Sequence, residues 1–183
     1  MMDPFQHSDM SPDDPSPAPR ERTILFVCTG NTCRSPMAEA LFRLRAGPDC
    51  GWRAESAGLF SADGAPASHG AIRIMRELGA DITAHRSRAL RAAMAEGADL
   101  IVGMTRDHVD ELKRRFPALS GRIRLLSSFG AAPPSDLGDP IGLDEFVYRR
   151  IRDGMDAAMA DIVLALRASH GAPMSTPPME NPS

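Results

Sequence analysis

The stretch TILFVCTGNTCRSPMAEALFRLRA, residues 23–46, constrains the fold of this chain more than any other segment. Its apolar run, residues 24–27, ends at Cys28 and predicts a buried strand. After a short loop, Pro36 suits the first position of a helix, because that position has no intrahelical partner for an N–H group. A loop over a helix N-terminus directs backbone N–H groups toward one point, where the helix dipole adds positive character. The sequence therefore predicts an anion site between a strand and a helix.

The loop also contains a nucleophile and a cation. Cys28 begins it, and Arg34 lies across its mouth six residues later. Converging N–H donors and a guanidinium favour the thiolate form of cysteine, and arginine matches two phosphate oxygens with its planar fork. A Cys-to-Arg spacing alone is a weak motif. Here Gly30 and Asn31, which tolerate tight or left-handed backbone, and the flanking strand and helix make it specific.

Composition narrows the class of protein. The chain has 183 residues, 43% of them hydrophobic, which is enough for one domain with a good core. Acidic and basic residues are intermixed with a net charge of −3, which argues against a nucleic-acid partner.

No apolar run reaches membrane-spanning length, and the polar, acidic N-terminal sequence does not resemble a secretory signal. We therefore expect no membrane partner and a cytoplasmic location. The odd number of cysteines does not suggest a disulfide framework.

Alternating strands and helices predict one α/β domain. We expect a three-layer sandwich, with a four-stranded, mostly parallel twisted sheet and helices on both faces. The predicted strands are residues 24–27, 52–56, 100–102 and 123–126. Two predicted helices are residues 36–46 and 89–96. Three more are capped by Ser68, Thr105 and Asp144 and run to Leu78, Phe116 and about Ala168. The domain covers residues 22–168, and the proline-rich tails, residues 1–21 and 169–183, are predicted to be disordered. Ligands of such sheets bind beyond the carboxyl ends of the strands, where Cys28 lies.

The segment CTGNTCRSPMAEAL resembles the signature of the low-molecular-weight protein phosphatases, which are cysteine-dependent tyrosine and arginine phosphatases. The resemblance implies that Cys28 attacks the phosphoryl group and forms a cysteinyl phosphate, while Arg34 and the loop hold the phosphoryl oxygens. The remaining substrate-binding residues of the phosphate loop are Thr29, Gly30, Asn31, Thr32, Cys33 and Ser35. No cofactor or metal is needed, since the loop neutralises the phosphoryl charge, and the five histidines lack metal-ligand spacing.

Breaking the bond to the leaving group requires a general acid. The Gly- and Pro-rich segment 127–143 is long for a compact domain, which indicates function, and it offers Asp136 and Asp139. We predict Asp139 as the acid, because Asp139-Pro140 matches the Asp-Pro of the family. An aspartate before proline can also merely shape a turn.

Supporting roles are predicted around the loop. The Ser35 hydroxyl can donate to the Cys28 sulfur, and Ser35 can also act as a helix N-cap; the two roles are compatible. Asn31 is expected to be left-handed, and the family braces this asparagine with a serine and a histidine that match Ser56 and His85. In the family, the second loop cysteine, here Cys33, can form a disulfide with the nucleophile, which protects it from over-oxidation. Cys33 can also be a small packing residue.

Specificity is predicted to depend on Thr32. Tyrosine-specific relatives commonly have an aliphatic residue there, whereas the bacterial protein-arginine phosphatases share CTGNTCRS. A threonine is shorter than isoleucine and polar, which suits a guanidinium better than a phenyl ring. After Asp-Pro the family usually has an aromatic pocket wall, but this chain has Ile141, and Phe60 could supply an aromatic wall instead.

The sequence thus predicts a protein phosphatase whose partner is a phosphorylated protein. The favoured substrate is a protein that carries phosphoarginine. The first alternative is a tyrosine phosphatase of the same family. An arsenate reductase ranks lower, because no cysteine follows Cys50 to relay a disulfide. A phosphocysteine carrier would need neither an acid nor an arginine clamp, and a catalytically silent reader would be expected to lose Cys28 or Arg34. The sequence does not indicate the oligomeric state.

Overall fold

The computed structural model describes residues 20–130 and 133–168. The two tails predicted to be disordered lie outside these residues, apart from residues 20 and 21. Four strands are present in the described part: β1 Arg22–Cys28, β2 Trp52–Gly58, β3 Leu100–Gly103 and β4 Ile123–Leu125. The α-helices are α1 Arg34–Ala46, α2 His69–Arg76, α3 Ala92–Gly97, α4 Arg106–Arg115 and α5 Glu145–Ala168. Short 3₁₀ helices, Pro117–Arg122 and Leu126–Phe129, flank β4.

The strands form one sheet in the order β2-β1-β3-β4, and every pairing is parallel. This confirms the predicted α/β class and strand number, and the sheet is parallel throughout. β1 lies between two neighbours and is buried on both faces, which explains its continuous apolar sequence. Its register pairs Cys28 with Gly58, so the nucleophile loop begins where two strands end together.

Two hydrophobic cores cover the two faces of the sheet, as expected for a three-layer sandwich. Alternate residues of β1 point to opposite faces, with Ile24 and Phe26 in one core and Leu25 and Val27 in the other. The first core contains apolar side chains of α1, α2 and α5. The second core contains those of α3 and α4. Burial on both faces holds β1 rigidly, and with it the start of the loop.

Two predicted helix boundaries were wrong. Helix α1 begins at Arg34, so Pro36 is its third residue; proline is tolerated there because the first turn has no intrahelical N–H partners. Helix α3 begins at Ala92, three residues later than predicted. Ala89 instead forms a bridge with Gly58, and the Leu90 N–H donates to the Gly58 carbonyl at 2.8 Å. This pairing keeps the segment extended beside the sheet.

Candidate active site

Asn31 holds the loop between β1 and α1 in shape. It is fully buried and has a φ of 51°, the one positive value at a non-glycine residue within the described ranges. Its side-chain amide donates to Ser56 Oγ at 2.9 Å, and its Oδ1 accepts from the Arg88 N–H at 2.8 Å. His85 Nε2 donates to the Asn31 carbonyl at 2.7 Å. The structure therefore brings Ser56 and His85 into contact with Asn31. The contribution of Arg88 is a backbone contact that the sequence did not indicate.

A close approach of two backbones requires glycine at position 58. A Cβ there would lie 2.8 Å from the Thr29 carbonyl oxygen, 3.0 Å from the Asn31 nitrogen and 2.6 Å from Ser61 Cβ. Backbone atoms cannot move aside without deforming the loop. Gly58 thus fixes how closely β2 approaches the phosphate loop, and it was missed in the sequence reading.

Ser35 connects this bracing to the nucleophile. Its Oγ accepts from the Asn31 amide at 2.8 Å and lies 3.0 Å from Cys28 Sγ. The Ala57 carbonyl, at 3.4 Å, is a second acceptor for the Ser35 hydroxyl. A thiolate can only accept, so the Ser35 proton would then point to the nearer sulfur. The predicted N-cap role of Ser35 was wrong: the N-cap of α1 is Cys33, without a side-chain capping bond. The serine hydroxyl is thereby left to contact the Cys28 sulfur, which is buried.

The Arg34 guanidinium is the cation of the site. Its side chain is 5% exposed. Nη1 donates to the Leu137 carbonyl at 3.2 Å, and Nη2 donates to Asp139 Oδ2 at 2.6 Å and to Thr29 Oγ1 at 3.3 Å. Nε is buried and has no hydrogen-bond partner among the residues that the structure describes. A buried donor without a partner is costly, and a bound oxyanion would satisfy it.

The two candidate acids occupy different places. Asp139 reaches the loop through its ion pair with Arg34, and its carboxylate is 44% exposed. Its other oxygen accepts from the Ile141 N–H at 3.2 Å, so it also shapes the local turn. Asp136 instead accepts from the N–H of Arg106, the first residue of α4, at 2.9 Å. Only Asp139 of this pair contacts a residue of the phosphate loop.

The second loop cysteine has a different environment from the nucleophile. Burial raises the pKa of the Cys33 thiol to about 11, although the hydroxyls of Tyr148 and Ser68 lie within hydrogen-bonding reach and oppose the shift. Such a thiol stays protonated at neutral pH, which disfavours it as a nucleophile. Cys28 and Cys33 are both free thiols, and the regulatory disulfide stays a prediction.

Tyr148 supports the underside of the loop from α5. Its hydroxyl lies 3.2 Å from Ser68 Oγ, and the Ser68 N–H donates to the Thr32 carbonyl at 2.7 Å. Sequence reasoning missed this residue, although it is the single tyrosine of the chain. Its ring lies against α2, where a Cβ on Gly70 would be 2.6–2.9 Å from three ring carbons.

Gly70→Ala is expected to lower the free energy of unfolding by about 1–3 kcal/mol, because the added methyl overpacks the Tyr148 ring. Chemical denaturation would measure the loss. Gly97→Ala, which adds a methyl to open space in α3, is the matched control and should be neutral or slightly stabilising. Equal stabilities of the two variants would contradict this packing argument.

The two predicted pocket walls are both exposed. Phe60 is 69% exposed and stacks on the Arg115 guanidinium at 4.9 Å. It lines a cavity of about 430 Å³ together with Thr29 and Arg34. Ile141 is 56% exposed and does not line that cavity. The structure therefore places Phe60, but not Ile141, beside the loop residues at this opening.

The structure also bears on metal binding and on membrane insertion. Within residues 20–130 and 133–168, no three His, Cys, Asp or Glu side chains are grouped so that they could hold a metal ion. None of the helices described is both long and apolar enough to cross a bilayer.

Comparison with known proteins agrees with this geometry. Residues 23–171 match the family described as low molecular weight phosphotyrosine protein phosphatase. A protein-arginine-phosphatase from Geobacillus stearothermophilus is 41% identical over 133 residues, covering 73% of this chain and 88% of that protein. A probable low molecular weight protein-tyrosine-phosphatase from Ralstonia solanacearum is 40% identical over 141 residues, covering 77% and 88%. The solved structure of the YwlE arginine phosphatase from Geobacillus stearothermophilus superposes with a TM-score of 0.75 at 36% identity, covering 81% and 94% of the two chains.

This chain belongs to the low-molecular-weight protein phosphatase family. Relatives named for arginine and for tyrosine substrates have nearly equal identity to it, so the family alone does not choose between the two.

Proposed function

We propose that this chain hydrolyses phosphoarginine residues of proteins through a cysteinyl-phosphate intermediate. The observation that carries the proposal is the buried Arg34 guanidinium, whose Nε lacks a partner in the described structure, in the same loop as the Cys28–Ser35 contact. A planar donor fork suits two phosphoryl oxygens, and a nearby thiolate suits attack on phosphorus. Membership in a protein phosphatase family supports a phosphorylated protein as the substrate. The cytoplasmic location stays a prediction from the sequence.

The proposed reaction has two displacements. Cys28 Sγ attacks phosphorus as the bond to the leaving guanidinium nitrogen breaks, and Asp139 donates a proton to that nitrogen. Water then attacks the cysteinyl phosphate, Asp139 accepts a proton from that water, and the sulfur–phosphorus bond breaks to release phosphate. The Ser35 hydroxyl stabilises the thiolate before the first step and as it leaves in the second.

Binding of the phosphoryl group would rearrange one contact. In the structure, Asp139 Oδ2 takes one donor of Arg34 at 2.6 Å. A phosphoryl dianion competes for that donor, and Nε supplies a second one. Asp139 then loses its contact with Arg34 and is free to face the leaving group, to which it donates a proton.

The choice of phosphoarginine is supported by the loop residue Thr32 and by the name of the Geobacillus relative. Thr32 is half-buried, and its carbonyl is fixed by the Ser68 N–H. A short polar side chain leaves room for a guanidinium, and the Asp139 carboxylate can pair with that cation. The tyrosine alternative is supported by the Ralstonia relative and by the exposed ring of Phe60. The arsenate reductase alternative lacks support, because no cysteine follows Cys50 to relay a disulfide.

Thr32→Ile tests the substrate class. The unaltered protein is expected to have the higher kcat/KM on a phosphoarginine peptide than on a matched phosphotyrosine peptide, and Thr32→Ile should shift that ratio toward phosphotyrosine by about tenfold or more. Para-nitrophenyl phosphate is the control substrate, because its turnover shows that the phosphate loop is intact. A preference of the unaltered protein for phosphotyrosine would overturn the phosphoarginine proposal and leave the phosphatase mechanism standing.

A further inference from the structure

His108 is a buried histidine at the site to which the mechanism above gives no task. It lies in α4, 6% exposed, with its two ring nitrogens on two threonine hydroxyls. Nδ1 is 3.0 Å from Thr105 Oγ1, and Nε2 is 3.0 Å from Thr29 Oγ1. Thr29 also accepts from Arg34 Nη2 at 3.3 Å. A continuous path of hydrogen bonds therefore runs from the start of α4 to the guanidinium that clamps phosphate.

The donors in this path can be assigned in part. Arg34 Nη2 and the His108 backbone N–H can only donate, so Thr29 Oγ1 and Thr105 Oγ1 each accept one hydrogen bond from them. Two arrangements are left for a neutral ring. In the first, Thr105 donates to Nδ1, Nε2–H donates to Thr29, and the Thr29 proton is free. In the second, Nδ1–H donates to Thr105, and Thr29 uses its only proton on Nε2.

A phosphoryl group distinguishes the two arrangements, because its oxygens only accept. Thr29 is exposed and lines the cavity beside Arg34, so its free proton in the first arrangement can reach a ligand there. Accepting from both Arg34 and His108 also polarises the Thr29 O–H, which makes it a better donor. In the second arrangement Thr29 offers no donor to the ligand.

We propose that His108 is a positioning residue whose Nε2–H holds the Thr29 hydroxyl beside Arg34 and leaves the Thr29 proton for a phosphoryl oxygen of the substrate. This inference rests on the proposed phosphatase function. Thr29 then adds a side-chain donor to the backbone donors of the loop, and Thr105 donates to Nδ1 of the same ring.

The surroundings keep His108 neutral, as this role requires. Burial, and then the positive charge of Arg34, lower the pKa of the imidazole to about 4. The carboxylates of Asp107, Asp139 and Asp136 oppose this shift without reversing it. At neutral pH the ring therefore carries a single proton, which lies on Nε2 in the proposed arrangement.

The test is a double-mutant cycle on phosphate affinity. In a Cys28→Ser background, calorimetry with inorganic phosphate measures binding without any turnover, so the result does not depend on the proposed function. Thr29→Val and His108→Leu are each expected to weaken binding about tenfold, and the double variant should be no weaker than either single one. Thr29→Ser and His108→Gln, which keep a hydroxyl and a side-chain N–H donor, should retain most of the affinity. His69→Gln, at an exposed histidine of α2, is the matched control.

If the two losses of phosphate affinity multiplied, the double variant would bind phosphate about a hundredfold more weakly. That result would overturn the proposal, because His108 would then not act through Thr29. An unchanged phosphate affinity of His108→Leu would overturn it as well. Nitrogen NMR of the phosphate-bound protein should place the His108 proton on Nε2, and a proton on Nδ1 would refute the donor assignment. Denaturant unfolding of each variant separates a loss of affinity from a loss of fold. Absence of any phosphatase activity in the unaltered protein would instead count against the proposed function.

Discussion

Cys28→Ser is expected to reduce phosphate release by at least about 10⁴-fold, the scale on which removal of a nucleophile acts in covalent catalysis. A serine hydroxyl at this position has a much higher pKa than a thiol and would stay protonated beside Ser35. The variant keeps the loop, Arg34 and Asp139, so inorganic phosphate should still bind. Steady-state turnover of para-nitrophenyl phosphate and of a phosphoarginine peptide would measure the loss.

Cys50→Ser is the matched control for this substitution. Cys50 is half-buried outside the loop, and its thiol donates to the Trp52 carbonyl at 3.1 Å, a bond that a serine hydroxyl can also make. Its turnover should be close to that of the unaltered protein. If Cys28→Ser kept turning over at a comparable rate, the cysteinyl-phosphate mechanism would have to be abandoned.

Asp139→Asn is expected to lower kcat by about 10²–10⁴-fold, the usual contribution of a general acid. An amide cannot deliver the proton that the leaving group needs, and it also loses the ion pair with Arg34. The loss should depend on the substrate. It should be larger for phosphoarginine, whose leaving nitrogen is strongly basic, than for para-nitrophenyl phosphate, whose leaving group departs more easily as an anion.

Asp136→Asn is the control, since it lies in the same segment and carries the same substitution. Its carboxylate accepts from the Arg106 N–H, and an amide oxygen can do the same. We expect a small effect on kcat and a modest one on stability. A larger loss in Asp136→Asn than in Asp139→Asn would show that the wrong aspartate has been chosen as the acid.

The strand, loop and helix around Cys28 could be predicted from sequence because their signals are local. A continuous apolar run, a turn with Gly30 and Asn31, and helical spacing after Pro36 all lie within one short stretch. The Asn31 backbone needed no long-range information either, because asparagine tolerates the left-handed region. The braces Ser56 and His85 were found through the family resemblance alone, since nothing local marks them.

The contacts that sequence reasoning missed join residues that are far apart in the chain. Thr29 and His108 are 79 positions apart, and Ser68 and Tyr148 are 80 apart. A buried histidine on a helix has the same local pattern as a surface one, so only the fold shows what its ring contacts. Gly58 and Gly70 were missed for the same reason. A side chain at either position would clash with backbone or ring atoms from other elements.

The bonds that shape Asn31 have a consequence for refolding. Asn31 is hydrogen-bonded to Ser56 of β2 and to His85 and Arg88 in the connector before α3. Arg34 is hydrogen-bonded to the segment before α5. Parallel strands also pair only after long intervening segments have been ordered, which makes such contacts late events. Partly folded chains should therefore be unable to bind phosphate even where β1 and α1 have formed. During refolding, recovered phosphate affinity would report the completed domain and lag behind the return of helical signal.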